Sequence, residues 1–216
     1  MDMLVSVCRV LASRPRLRLL RVIHAQPGTT VQALATALAL PIESVSQHLK
    51  VLTGFRFVES RPQGRYMHYR PVPTRVIKQP FLRDLQLWLQ TFFGPPRLHC
   101  TLAQVCNGAM APDRRAEETL LVQWFTSYTH LRRLLLLRYL LRHEHCSTEQ
   151  LAGAVRMSNT AVCRHMCKLR RRGLVAAADG PPLRWRLERS SADDCRQQLK
   201  DIVLRALHAT VPSDEK

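Results

Sequence analysis

Two short stretches hold the side chains with the most to offer chemically. Ser44, Ser46, Gln47, His48 and Lys50 stand in one; Asn159, Thr160, Arg164, His165 and Lys168 stand in the other. Each set mixes amides or hydroxyls with cations and is interleaved with apolar residues, Val45, Leu49 and Leu52 in the first and Val162, Met166 and Leu169 in the second. Spacings of three and four place those apolar residues on one inward helix face and leave the polar set outside. A glutamine amide offers the donor and acceptor that match an adenine edge, and lysine or arginine suits guanine or phosphate. Glu43 repels phosphate, so it must accept from a cytosine amine or stay clear. This is recognition chemistry. No nucleophile–base pair, phosphate loop or metal triad stands at a credible spacing, so the chain is expected not to be an enzyme and to need no cofactor.

The two stretches are copies of one pattern. Leu34-Ala35 and Val45 to Leu52 return as Leu151-Ala152 and Val162 to Leu169, at a constant offset of 117 (151 − 34, 165 − 48). A long-period repeat means one structural unit laid down twice. The 216 residues accommodate two domains of about 100 each. The reading divides them into 1–94, a linker at 95–113 and a second, divergent domain at 114–211, with Gly94-Pro95-Pro96 and Pro112 bounding the linker and a short helix expected at 101–105.

The elements that must position the polar faces follow from local signals. In the first copy Pro15 opens a helix, Thr30 caps the helix Val31 to Leu38, and a helix from about Pro41 to Thr53 carries the first polar set. Phe57 to Arg61 and Tyr66 to Arg70 alternate like strands around Pro62-Gln63-Gly64, and Pro80 opens an amphipathic helix burying Phe81, Leu85, Trp88, Leu89 and Phe92. In the second copy Ser147 with Glu149-Gln150 caps one helix, Ser158 caps the next, and Gly173 closes it in the left-handed region. A hairpin is expected around Asp179-Gly180, and Ser191 with Asp194 opens the last helix. The fold class is mainly α with small β-hairpin wings: tandem winged helix-turn-helix domains forming an intramolecular pseudo-dimer.

Lys and Arg number 33 against 16 Asp and Glu, a net charge of +17. Such an excess calls for a polyanionic partner, nucleic acid first and an anionic membrane surface second. The apolar run Met3 to Cys8 lacks a preceding basic region and does not read as a signal peptide. The run Leu134 to Leu141 contains Arg138 and is too short to span a bilayer. Seven cysteines without framework spacing suit a reduced, cytoplasmic chain.

Leu11 to Leu20, Leu34-Ala35, Val45 to Leu52 and Gly64 to Tyr69 fall in the order and spacing of the ArsR (arsenic-repressor) family of bacterial winged-helix regulators, and residues 4–93 resemble it. Residues 114–209 resemble it more weakly, through Leu151-Ala152, Ser158-Asn159-Thr160, Val162 to Leu169 and Gly173-Leu174-Val175. The resemblance implies homodimers joined by their first and last helices, a recognition helix in the major groove, a flanking hairpin wing, and repression relieved by a metal or another small signal. This chain departs from it in three ways. Two copies are fused, so one chain replaces the dimer. The family's metal-binding cysteine pair falls on Thr30 and Gln32, and on Ser147 and Glu149, so that site is missing. The glycine expected after the recognition helix is Gly173 in the second copy but Arg56 in the first, which suggests that Gly54 ends the first helix early.

The expected function is therefore a sequence-specific double-stranded DNA-binding transcription regulator, a repressor, cytoplasmic and associated with a bacterial nucleoid. Its expected DNA contacts are Ser44, Ser46, Gln47, His48, Lys50, Arg61 and Arg65 from the first copy, and Asn159, Thr160, Arg164, His165, Lys168, Arg184 and Arg186 from the second. Arg70 joins the first wing, and Arg170-Arg171-Arg172 extend the basic surface of the second recognition helix. No metal site is expected; Cys163 with Cys167, and Cys100 with Cys106, are the weak candidates for a thiol or metal sensor, leaving a small-molecule or redox effector open. The aromatic residues Trp88, Phe92, Phe93, Trp124, Phe125 and Tyr128 are expected to join the halves. The alternative is a protein–protein adaptor or chromosome-organising module that does not read sequence.

Overall fold

The computed structural model describes residues 1–94, 114–178, 183–188, 190–191 and 193–209. The expected linker, its short helix, Cys100, Cys106 and the Asp179-Gly180 turn lie outside the described residues. The chain is mainly helical with two small antiparallel sheets. By packing it divides into two compact units, Arg9–Gln123 and Met1–Cys8 with Trp124–Lys216. The division falls inside α1 (Asp2–Leu11) and inside α6 (Arg114–Ser127).

In the unit Arg9–Gln123, α2 (Arg14–Ala25) starts with Pro15 in its first turn, where a missing N–H costs nothing. It buries Leu17, Leu19, Leu20 and Ile23 against α3 (Val31–Leu38), α4 (Ile42–Gly54) and α5 (Pro80–Phe93). The Thr30 hydroxyl accepts from the Ala33 N–H, as the cap position predicts. A three-residue turn, Ala39 to Pro41, then joins α3 to α4, with Ala39 in the left-handed region at φ 51°. Val45, Leu49 and Leu52 are fully buried. Each buried side chain of this kind contributes about 1.5–3 kcal/mol, so the rotation of α4 about its axis is firmly set.

The wing is larger than a hairpin. β2 (Val58–Gln63) and β3 (Tyr66–Pro71) pair antiparallel, and a two-residue strand, β1 (Thr29–Thr30), adds to β3 to give the order β1-β3-β2. β2 is an edge strand, which is why Pro62 can sit within it opposite Met67. Gly64, at φ 63°, allows the two-residue turn.

The second unit repeats this element order. α7 (Leu131–Arg142), β4 (Cys146–Ser147), α8 (Thr148–Val155), α9 (Asn159–Arg171), β5 (Val175–Ala178), β6 (Arg184–Leu187) and α10 (Asp194–Ala209) follow, with sheet order β4-β6-β5. Ser147 and Gln150 form the full reciprocal capping box, and the Ser158 hydroxyl accepts from Ala161 N–H. Trp185 fills the core under the second sheet, its indole N–H donating to the Thr148 hydroxyl at 3.2 Å.

Three local expectations are corrected. α4 ends at Gly54, close to the expected end, but Arg56 is not spared the left-handed conformation and takes it at φ 63°. The main chain closes around it, with Phe57 N–H donating to Leu52 C=O at 3.0 Å, just as Leu174 N–H donates to Leu169 C=O around Gly173. The last helix is capped by Asp193, whose carboxylate accepts from Arg196 N–H, while the Ser191 hydroxyl accepts from the Asp193 N–H. Arg172 is not part of an outward basic cluster: its guanidinium donates to the Ser127 hydroxyl at 3.1 Å, and its carbonyl accepts from Arg196.

Candidate nucleic-acid interface

α3 with α4, and α8 with α9, each form two helices joined by a three-residue turn. The turn lacks glycine in both units; Ala39 and Arg156 adopt the left-handed conformation instead, at φ 51° each. The second helix of each pair buries three residues and exposes the rest. On α4 the exposed residues include Ser46, Gln47 and Lys50, with Ser44 and His48 half-buried. On α9 they include Asn159, Thr160, Arg164 and Lys168, with His165 half-buried. The predicted polar residues are thus brought onto one solvent-facing side of each helix, except for the two histidines and Ser44 at the edge.

The histidines would meet a phosphate as neutral hydrogen-bonding rings, not as cations. Burial lowers the pKa of His48, with the Arg16 charge adding to it. Burial also lowers that of His165, with His130, Arg133, Lys168 and Arg132 acting in the same direction. Both imidazoles therefore stay neutral at neutral pH.

The two helix faces differ in charge. Among charged groups on exposed positions of α4, Glu43 opposes Lys50. On α9, Arg164, Lys168, Arg170 and Arg171 are all exposed with no acid among them. α4 also exposes Ile42 and Val51. Ile42 escaped the sequence reading because it continues the Val45 and Leu49 spacing, yet in the first turn it has nothing to pack under. An exposed apolar side chain there suits a thymine methyl group.

The wing arginines divide by environment. Arg61 and Arg65 are exposed, Arg61 lying 3.7 Å from the Glu59 carboxylate. Arg70 donates to that same carboxylate at 2.6 Å and is held on the sheet. Tyr66, exposed at the turn, is a further wing-tip residue that the strand pattern did not single out. In the second unit Arg184 is exposed, whereas Arg186 is half-buried and lines a cleft with Arg142, Glu144 and His145.

Each wing is tied down by one buried polar side chain from the helix that follows it. Gln86 on α5 is fully buried and donates to the Phe57 and Val72 carbonyls, both at 3.2 Å. Lys200 on α10 is nearly as buried and donates to the Glu188 carbonyl at 3.0 Å. These residues set where the wings stand relative to the helices beside them. Their only signal in the sequence is a polar side chain inside an apolar stripe.

Cys163 and Cys167 lie half-buried, one turn apart on α9, as free thiols. Cys8 and Cys195 are buried, and burial raises the Cys8 thiol well above its usual range, which makes it inert. Among the described residues no group of three or more His, Cys, Asp or Glu side chains is gathered so as to hold a metal ion. No helix among them is long and apolar enough to cross a membrane.

A family model described as a helix-turn-helix domain matches residues 11–61, which run from the end of α1 through α4 into β2. No curated protein and no solved structure matches the chain. The chain carries a helix-turn-helix domain, the equipment of a DNA-binding regulator.

Proposed function

We propose that this protein is a transcriptional repressor of the ArsR type, which reads double-stranded DNA through α4 and α9 and uses its two winged helix-turn-helix units as the arms of an intramolecular pseudo-dimer. It acts by binding, not catalysis, in the cytoplasm on nucleoid DNA. The observation that supports this reading best is the matched burial of Val45, Leu49 and Leu52 on α4 and of Val162, Met166 and Leu169 on α9, which leaves equivalent polar faces in solvent. Gln47, Lys50, Asn159 and Arg164 then address base edges. Arg61, Arg65, Lys168 and Arg184 address phosphates, and fix register without reading sequence.

Because the two faces differ, the operator is asymmetric. Its half-sites lie about one helical turn apart. Selection from a random duplex pool, followed by footprinting, tests the proposal: the expected product is one site with two unlike half-sites. Uniform recovery of all duplexes would refute sequence reading. The adaptor alternative draws on α4, where Ile42 and Val51 are exposed and Glu43 offsets Lys50; it expects the same selection to enrich no sequence.

A further inference from the structure

We propose that the N-terminal turn of α7, with Arg132, Arg133, His165 and Lys168, forms an oxyanion site that receives a phosphate group. The assignment of that phosphate to the DNA backbone rests on the function proposed above; the chemistry of the site does not.

The first turn of α7 runs against electrostatic preference. A helix N-terminus carries partial positive charge and favours acids. α7 has no acidic residue in its first turn; it has Arg132 and Arg133. Its N-cap, His130, gives the turn no side-chain hydrogen bond, in contrast to the capping box and Glu149 of α8. The Arg133 N–H is taken by the His130 carbonyl at 3.0 Å; the Leu131 and Arg132 N–H groups that precede it, with cations beside them, are the ordinary makings of a phosphate site.

The floor of the site is buried and lacks partners. Arg133 is 7% exposed, and its Nε has no hydrogen-bond partner. His165 Nδ1 is buried and equally without one. The His165 ring stacks obliquely on His130, with centroids 4.8 Å apart. The charged neighbours acting on His165 are His130, Arg133, Lys168 and Arg132, and none is a carboxylate. Arg172 adds a further positive charge near Arg133. Buried cations normally have an anionic partner, and here Arg133 Nε has none, while the neutral His165 ring leaves Nδ1 unpartnered beside it. Arg132 and Lys168, both acting on His165, are exposed and supply the solvent-facing cations of the site. His165 and Lys168 belong to α9 itself, so a group seated here lies alongside the helix that reads bases.

The first unit carries the floor of this arrangement 117 residues earlier but not its solvent-facing cations, since Pro15 and Val51 stand where Arg132 and Lys168 do. Ser13 caps α2 without a side-chain hydrogen bond, no acid stands in that first turn, and Arg16 Nε is buried without a partner. Arg16 acts on His48, as Arg133 acts on His165.

The test follows the histidine ring signals of the full chain by NMR, at fixed pH and ionic strength, during titration with inorganic phosphate. Saturable shifts are expected at His130 and His165 and none at His68 on the wing. The double variant Arg132→Gln/Lys168→Gln changes only exposed side chains and should weaken the phosphate affinity at least tenfold; Arg133→Gln should abolish saturation. A response that does not saturate, or that is unchanged in both variants, overturns the site. In a second arm, binding of a selected duplex is measured against salt. The double variant should lower affinity for every duplex alike and flatten the dependence by about 0.9 log unit per log salt for one lost phosphate. An unaltered salt dependence, with phosphate binding lost, overturns the DNA-backbone assignment and makes the site one for a free oxyanion. Failure of the wild type to bind any duplex refutes the proposed function, and the phosphate titration still decides the site.

Discussion

His24 makes the unit Arg9–Gln123 sensitive to mild acid. It lies on the buried face of α2, 7% exposed, with Nε2 buried and unpartnered, against Phe93 at a centroid distance of 6.2 Å. Burial lowers its pKa from 6.5 to about 4. The unfolded chain therefore takes up a proton near pH 6.5 that the folded chain refuses until about pH 4. Stability from this group is complete above the unfolded value, falls as pH drops through the interval, and levels off below the folded value. The full interval corresponds to about 3 kcal/mol. Between pH 7.5 and pH 5 the expected loss is about 2 kcal/mol. His48 and His165 are shifted in the same direction, so the wild-type curve contains their contributions too. The variant His24→Leu isolates the effect: it keeps the apolar volume and removes the proton acceptor. Urea unfolding followed by tryptophan fluorescence gives the free energies at each pH. Hydrogen exchange of peptides from α2 and α5 assigns the loss to this unit. His24→Leu should be at least as stable as wild type at pH 7.5 and should lose about 2 kcal/mol less on acidification to pH 5. Equal losses in the two proteins would show that His24 is not held neutral by burial.

Arg56→Gly should raise stability by about 0.5–1 kcal/mol, since it relieves a left-handed side chain at some entropic cost in the unfolded state; Gly173→Ala should lower it by about 1 kcal/mol through backbone strain alone, because the added Cβ meets only the Arg196 guanidinium at an ordinary 3.5 Å. Thermal or urea melts check both. Gln86→Leu leaves the Val72 carbonyl without its Gln86 donor and should cost about 2 kcal/mol, with faster hydrogen exchange in β2 and β3 than in α3. Arg61→Gln/Arg65→Gln should flatten the salt dependence of DNA binding by up to about 1.8 log units per log salt while leaving the preferred sequence unchanged, as measured by fluorescence anisotropy across a salt series.

Much of the fold is readable from the chain because its helix ends carry their own chemistry. Thr30, Ser147 and Ser158 each place a hydroxyl where the first turn needs an acceptor, and each accepts as expected. The stripes Val45, Leu49, Leu52 and Val162, Met166, Leu169 set the inward faces, so the outward residues of the candidate site follow by subtraction. β1 and β4 were not readable: two residues are too few to show a period, and only their pairing with β3 and β6 makes them strands. Gln86 and Lys200 look like blemishes in apolar stripes until the carbonyls they serve are known. Arg172 and Arg70 resemble solvent-facing cations in sequence, and only the positions of Ser127 and Glu59 reveal that they are engaged.

The left-handed Arg56 after α4 shows which effect prevails when local preference and packing conflict. A left-handed arginine costs about 1–2 kcal/mol, which favours a chain path that spares Arg56 that conformation. The closure around Arg56, however, turns Phe57 into the core, where it is 1% exposed. Burial of that ring contributes about 1.5–3 kcal/mol and outweighs the strain. The same holds at the other end, where Ala39 and Arg156 are left-handed without being glycine. Of the four positions that bracket α4 and α9, only Gly173 carries the residue that local preference favours. The bracketing geometry is therefore imposed by what the neighbouring turns bury. An outward residue on α4 or α9 takes no part in it, so Glu43 and Lys50 on one helix and Arg164 and Lys168 on the other can differ in charge while the scaffold stays the same. Exchanging Gln47 or Arg164 should accordingly alter which duplex is bound without altering the melting of either unit, and a coupled loss of stability would refute that separation.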